Sequence, residues 1–494
     1  MIVSYIRKNF PEIRITYILH SKRQHGLTPE VMEQILASNS KLVIIPDASS
    51  NDAEQHTQLK EHGIDVIVLD HHDVEIISKD AIVVSNHDLI SPEYINKEMT
   101  GAGITLKFLE SLDNKYGIDD SKNYWDLAAV GIVADMSTIL HGETRYYVYE
   151  GLANVKNPFI RQLIYKNAYQ DLKKASPKTV SWSISNYINA TIRAGTTEDK
   201  ITVFRAMLGE KESLTRISKY RGKEREVTEE LHETGYRLAS NARNRQNTLK
   251  KKLVAQVKQK IEDDGLEDNA MILVTLDSFS EGYSGVIAGD IANTYRKPAV
   301  ITSLDESGTA YSGSLRGYDA VLEDTRSFLE GTGLFTVMTG HPQAAGAALP
   351  VGNIDEINRV VNERLGNTST QIEVDFEIDS KALNESLVQE FYQYNHLWCK
   401  GFEEPLVAVK NVELNCSLIE FKNTMKTVVN GVEVMAFQID DRLQKLADEK
   451  KAAVVNIIGT LEINHYQGNK SPQMKIEALE ILETKDVPNF GFVF

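Results

Sequence analysis

The sequence predicts a mixed α/β chain: a parallel-sheet domain, a long connecting helix, a smaller α/β domain and a C-terminal β-barrel. Three observations carry this class. Over the first 140 residues short β-branched runs alternate with helical patterns, as in a parallel sheet covered on both faces. The alternation resumes near residue 270, and from about Asn367 long alternating β segments take over. With 494 residues, 25% charged and 8% aromatic, the chain has an ordinary globular composition and room for about three domains, which excludes disordered and fibrous classes.

In chain order, Met1 to Phe10 carries a helical stripe of Ile2, Val3, Ile6 and Phe10 with no N-cap and no strand before it. A slightly frayed first helix or a missing upstream strand would each give that pattern. Ile13 to Leu19 reads as a strand, and Thr28-Pro29-Glu30 opens a helix that runs to about Ala37. Leu42 to Pro46, Val66 to Leu69 and Ala81 to Val84 read as strands, with a polar helix from Asn51 to His62 between the first two. Asp126 to Val155 is helical and apolar, and helical segments continue to about residue 260. Further on, Ile272 to Leu276 and Ala299 to Thr302 are strands around a helix over Ser284 to Tyr295, followed by glycine-rich turns at Ser312–Gly317 and Gly340–Gly346. Val432 to Ile439, Ala452 to Tyr466 and Gln473 to Leu482, with a turn at Gln467-Gly468-Asn469, fit a small antiparallel barrel, for which the OB-fold is the candidate. The implied domains are 1–200, 201–264, 265–366 and 367–494.

Two cysteines, Cys399 and Cys416, cannot build a disulfide framework or a thiolate zinc site, and they fit a reducing cytoplasm. No apolar run approaches the length of a membrane span, and the first ten residues are too short and polar for a signal peptide. The net charge of −16 alone argues against nucleic acid, since phosphate affinity needs Lys and Arg. Arg237 to Lys260 reverses that argument locally. Its eight cations, among them Arg243, Arg245, Lys250 and Lys251, have no acid between them, which leaves −24 for the rest. Such a run is either a solvated helix face or a phosphate-facing one.

Three carboxylates stand where an apolar setting demands a reason. Asp47 closes one strand, Asp70 closes the next, and Asp135 lies in the apolar helical run Val130 to Met136. Ligands of open parallel sheets bind beyond the carboxyl ends of the strands, so Asp47 and Asp70 should share a crevice. Asp70 continues into His71 and His72, so one strand end delivers a carboxylate and two imidazoles. Oxygen and nitrogen donors without thiolates suit Mn²⁺ or Mg²⁺ better than structural zinc.

Val66 to His72 (VIVLDHH), Val133-Ala134-Asp135 and Gly340 to Gly346 (GHPQAAG) resemble the motifs of the DHH phosphoesterase superfamily, most closely the RecJ-type single-strand-specific exonucleases. Ile188 to Gly195, Ser280 to Asn293 and Trp398 to Pro405 extend the resemblance over nearly the whole chain. It implies a DHH domain, a connecting helix, a DHH-associated domain facing the metal site across a cleft, and an OB-fold. It also implies two-metal hydrolysis of phosphodiesters, with a pair of cations neutralising the scissile phosphate and activating water. By resemblance Asp47 binds or bridges metal, His71, His72 and Asp135 complete the site, and Asp70 binds metal or orients a histidine. Arg193, Ser314 and Arg316 correspond to positions that hold a terminal 5′ phosphate, and His341 contacts the scissile phosphate or the strand. The basic stretch and the barrel, with Tyr466 as a stacking or core residue, would guide single-stranded DNA.

The family's first motif, an Asp-x-Asp-Gly loop, would lie just before Met1, and no other Asp-x-Asp-Gly occurs in the chain. The expectation is therefore a single-stranded-DNA exonuclease, acting from the 5′ end, whose second metal is in doubt. Beside it stand a catalytically impaired single-strand-binding scaffold and a phosphodiesterase for short oligonucleotides or cyclic dinucleotides. A cytoplasmic monomer that meets a helicase or single-strand binding protein, and no membrane, completes the reading.

Overall fold

The computed structural model describes residues 1–20, 24–167, 175–220, 222–279, 282–305, 308–366, 372–422, 424–437, 440–466 and 469–486. They form two compact units, Met1–Arg243 with Asp375–Phe494, and Asn244–Val374.

In the first unit α1 (Ile2–Asn9) buries Ile2, Tyr5 and Ile6, the stripe read from the sequence, and the Tyr5 hydroxyl donates to Asp113 at 2.6 Å. Helix α2 (Pro29–Ala37) starts where Thr28 accepts from the Val31 N–H and proline takes the first turn. Strands β1 (Leu42–Pro46), β2 (Asp65–Asp70) and β3 (Ala81–Ser85) pair in parallel in that order, with α3 (Ala53–Glu61) crossing between the first two. The segment predicted as a strand at Ile13–Leu19 is not one. Its Ile15 and Ile18 pack on hydrophobic clusters and Tyr17 lies 4.7 Å from Phe204, so apolar residues point inward without a strand ladder.

Helices α4 (Gly101–Tyr116), α5 (Trp125–Ala134), α6 (Gly142–Ala153) and α7 (Pro158–Asn167) build the main core with α1, around Leu106, Leu109, Ile132, Leu152, Phe159 and Leu163. The predicted helix from Asp126 to Val155 is thus two helices, because Met136 turns left-handed at φ 57°. A short α8 (Pro177–Thr179) runs through a π-helical stretch into α9 (Asn186–Ala194), and α10 (Thr197–Met207) follows. Helix does not then continue to residue 260. An antiparallel hairpin, β4 (Ser213–Tyr220) and β5 (Lys223–Glu230), precedes α11 (Leu231–Asp263). Its alternation of Thr, Ile, Val and charges has period two, a strand pattern that the surrounding helices hide.

The second unit holds the five-stranded sheet β6 (Ile272–Leu276), β7 (Ala299–Leu304), β8 (Ala310–Arg316), β10 (Ala344–Pro350), β9 (Val337–His341), in that spatial order. One face packs on α12 (Ser284–Tyr295) and the end of α11, the other on α13 (Thr325–Glu330) and α14 (Ile354–Leu365). Ser312–Arg316 is strand rather than the predicted turn: it pairs along its length with β7 and β10, so its small residues serve close packing. GHPQAAG likewise reverses only at Pro342-Gln343.

Residues beyond 375 return to the first unit as β11 (Phe376–Asp379), α15 (Glu385–Tyr392), β12 (Val407–Asn415), β13 (Glu420–Phe421), β14 (Met425–Val429), β15 (Val432–Ala436), α16 (Asp441–Asp448), β16 (Lys451–Tyr466) and β17 (Asn469–Asp486). They form one seven-stranded sheet around its own core. The expected antiparallel pattern is broken twice, since β11–β12 and β15–β17 pair in parallel. Ser280, Ile439, and Gln467 and Gly468 of the predicted turn lie outside the described residues. This domain is tied to the helices by Ile139 N–H to Lys400 C=O and Tyr149 Oη to Leu397 C=O, each 2.9 Å, and by Lys178 between Glu404 and Glu462.

Candidate metal centre and phosphate contacts

The carboxyl ends of β1 and β2 lie side by side, and the chain leaves β1 in a conformation that L-residues avoid. Asp47 and Ser49 are left-handed at φ 64° and 80°, each of which costs about 1–3 kcal/mol. The Asp47 N–H donates to the Leu69 carbonyl at 2.8 Å, tying this loop to the adjacent strand. The result aims the exposed Asp47 carboxylate at His71, whose Nε2 lies 3.3 Å from Asp47 Oδ1 and 3.3 Å from Asp135 Oδ2. Asp135 is not inside an apolar helix, as expected, but the residue that ends α5, with its side chain partly exposed. That position needs no buried-charge excuse, and it brings a helix end to the strand ends.

Asp70 is almost fully buried and works inward. It accepts from Ser50 Oγ at 2.8 Å, the His71 N–H at 2.8 Å and His72 Nδ1 at 2.7 Å. Burial, the strongest single influence, pushes its pKa up, but the bonds from His72, Ser50 and the His71 amide together hold it well below the usual carboxylate range. The same bond raises the pKa of His72 against the effect of burial. With Nδ1 taken by Asp70, His72 has Nε2 left as its outward donor, the arrangement that fixes a ligating imidazole. Ligand atoms of Asp47, His71 and His72 lie within 4.8 Å of one another.

Two contributors escaped the sequence reading. Ser50 bonds Asp70 through both backbone and side chain. Gly101 opens α4 against Asp47, and a Cβ there would stand 2.3 Å from the Asp47 carboxylate. Its only signal was a Thr-Gly-Ala-Gly start to an apolar helix. Beside it a cavity of about 270 Å³, bordered by Ile2, Pro46, Asp47, Ala102 and Phe204, follows β1, which is an edge strand.

In the second unit Ser314 and Arg316 meet the start of α12. Ser314 Oγ lies 2.9 Å from Ser284 Oγ, and the Arg316 guanidinium lies over Gly285, where a Cβ would approach Nη2 to 2.7 Å. His341 ends β9 on the exposed rim of the β9–β10 turn. Arg193 sits half-buried in the last turn of α9.

The basic stretch is less free than its composition implies. Arg237 pairs with Glu229, and Lys250 with Asp290, at 2.8 and 2.7 Å. Arg243 donates to Tyr187 Oη at 2.8 Å and covers its ring at 4.6 Å. Arg245 and Lys251 are exposed.

Comparison with known proteins supplies the family. The DHH family N-terminal domain matches residues 1–132, and the RecJ OB domain matches 374–478. A Bacillus subtilis protein named as an SPbeta prophage-derived single-strand DNA-specific exonuclease, YorK, is 33% identical over 98% of this chain and 85% of its own length. The chain belongs to the RecJ-like exonuclease family. Bacillus subtilis RecJ is 23% identical over 94% of this chain, which spans 57% of that protein. Among solved RecJ-like folds, Thermus thermophilus RecJ with Mn²⁺ superposes at a TM-score of 0.66 and 21% identity, over 92% of this chain and 64% of that one. The same protein solved with Mg²⁺ gives 0.59. Its membership agrees with a DHH domain, an OB domain and the mixed α/β architecture described above. No helix among the described residues is long and apolar enough to cross a membrane.

Proposed function

We propose that this RecJ-like chain is a metal-dependent exonuclease that hydrolyses single-stranded DNA from its 5′ end by two-metal-ion catalysis. The observation that carries the reading is the convergence of Asp47, His71 and Asp135 at 3.3 Å, with His72 held beside them by Asp70. Asp47, His71, His72 and Asp135 would hold Mn²⁺ or Mg²⁺: their donors are the oxygens and imidazole nitrogens such ions accept, and three of them already lie within ligand reach of one another. Bound there, the ions supply Lewis-acid stabilisation of the scissile phosphate and lower the pKa of the attacking water. The chain's own residues do the rest. Asp70 fixes the tautomer and orientation of His72. Arg316 offers a fork, and Ser314 a further donor, to the 5′ phosphate. His341 donates to a phosphate oxygen of the strand.

The test is Mn²⁺-dependent release of nucleotides from 5′- and 3′-labelled single strands, with a duplex control. His71→Ala should reduce hydrolysis by 100-fold or more while the protein stays folded; undiminished hydrolysis would remove the triplet from the reaction. A second reading, a single-strand-binding scaffold with impaired catalysis, draws on one observation: the described residues present a single cluster of three close ligand atoms. Tight binding of single strands without cleavage in Mn²⁺ would establish it.

A further inference from the structure

The hairpin β4–β5 has no part in the site above, yet its charges are sorted by face. The register places Ser213, Thr215, Ile217 and Lys219 opposite Glu230, Thr228, Glu226 and Glu224 on one face. That face is acidic on balance, and its one cation is paired: Lys219 Nζ lies 2.7 Å from Glu224. The other face sets Arg216 opposite Val227, Ser218 opposite Arg225 and the Tyr220 position opposite Lys223. No acid faces Arg225 or Lys223. Both are exposed, and among the described residues neither side chain makes an ion pair or hydrogen bond, their backbones alone being bonded in the ladder.

The base of that basic face is anchored. Leu214 packs on the main core, and Glu229 is gripped by Arg216 and Arg237, each at 2.8 Å. This clamp neutralises the carboxylate nearest the hairpin's inner face and fixes the ribbon's angle to α11. Between the ribbon, α7 and α11 lies a polar cleft of about 440 Å³, whose walls include Lys166, Thr228, Arg237, Ser240 and Asn241. Along the cleft and the hairpin face stand five cations, Lys166, Arg216, Lys223, Arg225 and Arg237, against Glu229 and Glu233.

A hairpin that served only solubility would pair its charges across the strands, as Lys219 and Glu224 do, and would need no segregation. An isolated two-stranded ribbon is marginally stable by itself, so one anchored by a partly buried ion network and then extended over about 27 Å (eight residues at 3.4 Å) is a projecting arm. Lys223 and Arg225, two residues apart on one face, sit about 7 Å from each other, close to the repeat of backbone phosphates in an extended strand. The cleft below them offers amide and hydroxyl groups, which suit sugar and phosphate oxygens.

We infer that the basic face of the β4–β5 hairpin and the polar cleft at its base bind the sugar–phosphate backbone of single-stranded nucleic acid, as an anchor separate from the metal centre. The inference deepens the proposed function by adding a second hold on the same substrate, and it is tested by binding alone so that it does not depend on hydrolysis. The occupant is a single strand because the cations lie on one face, fitting a backbone laid along the ribbon; a ribbon set into a duplex groove would need them on both.

The experiment measures equilibrium binding of a fluorescent thirty-residue oligothymidylate by the full chain, without divalent metal, over a range of salt. Lys223→Ala combined with Arg225→Ala should weaken binding about ten-fold or more near 0.1 M salt and flatten the slope of log K against log salt by roughly 1.4, the loss of two phosphate contacts. Lys219→Ala, on the opposite face, should leave both unchanged, and the charge-keeping swap Lys223→Arg with Arg225→Lys should restore binding. An unmoved affinity and slope in the double alanine variant, with its melting temperature intact, overturns the inference, as does an equal loss with Lys219→Ala. If an equivalent duplex depends more strongly on the two residues than the single strand does, the assignment to single strands is wrong. Should His71→Ala leave hydrolysis untouched while the hairpin result holds, the failure lies with the metal-centre reading and not with this one.

Discussion

Asp70 shows what a single residue contributes at this centre. The sequence marks it as the acid of a DHH triplet, able either to bind a metal or to orient a histidine. In the structure it is almost fully buried and receives Ser50, the His71 amide and His72 Nδ1, contacts that fit the second of these proposed roles. Asp70→Asn keeps the size but turns an amide group toward donors that need an acceptor. We expect a 10- to 100-fold loss of Mn²⁺ affinity, measured calorimetrically, with the fold intact by circular dichroism. Unchanged affinity would show that His72 needs no such support. Asp135 stood out in the sequence as a candidate acid but not as a helix-terminal one, since Met136 adopts a left-handed turn that residue type does not announce. Ser50 and Gly101 were illegible for a related reason: a hydroxyl and a missing Cβ gain meaning only once the loops that face them are placed.

At the level of elements, strands with continuous β-branched runs were readable, and β1 to β3, β6, β7 and β16 stand close to where the pattern puts them. Failures fell where glycine or charge disguised the period. Ser312–Arg316 looked like a turn and is a central strand, and the β4–β5 hairpin was lost inside a helical stretch. The joint between α8 and the C-terminal sheet could not be read at all, because Lys178 meets Glu404 and Glu462 across more than 200 residues of sequence. Burial raises the pKa of Glu462, but Lys178 and Lys475 outweigh it and leave it lowered; Lys178 is raised by its two glutamates in spite of burial. A carboxylate with a depressed folded pKa stabilises fully above the ordinary glutamate range and loses that contribution as pH falls through its folded value. Lys178→Met leaves two half-buried glutamates facing each other, and should cost about 3 kcal/mol at neutral pH in a urea titration. The deficit should shrink as pH falls through the lowered folded value of Glu462 and that carboxylate loses its charge. A deficit that is constant with pH would mean the lysine acts by packing.

The whole molecule falls into two units with separate cores. The carboxylate–histidine cluster and the OB domain belong to one, while Ser314, Arg316 and His341 belong to the other. Sequence order alone gives no sign of this, since the second unit is inserted between two parts of the first and α11 runs from one into the other. A chain of net charge −16 would hold the nucleic acid proposed for it only through cations on particular faces, since Arg237 and Lys250 of the basic stretch are already paired within the protein. The division carries a thermodynamic consequence. A ligand stabilises only the unit that binds it, by RT ln(1 + [L]/Kd), or about 2.7 kcal/mol at 100 times Kd. Calorimetric unfolding of the full chain should therefore resolve two transitions, of which Mn²⁺ raises the one belonging to the unit of Asp47, His71 and His72 and leaves the other in place. His71→Ala should abolish that shift, and EDTA should return the wild-type trace to the metal-free one. A Mn²⁺ shift of equal size in both transitions, or one that survives His71→Ala, would place the dominant ion outside the β1–β2 strand ends.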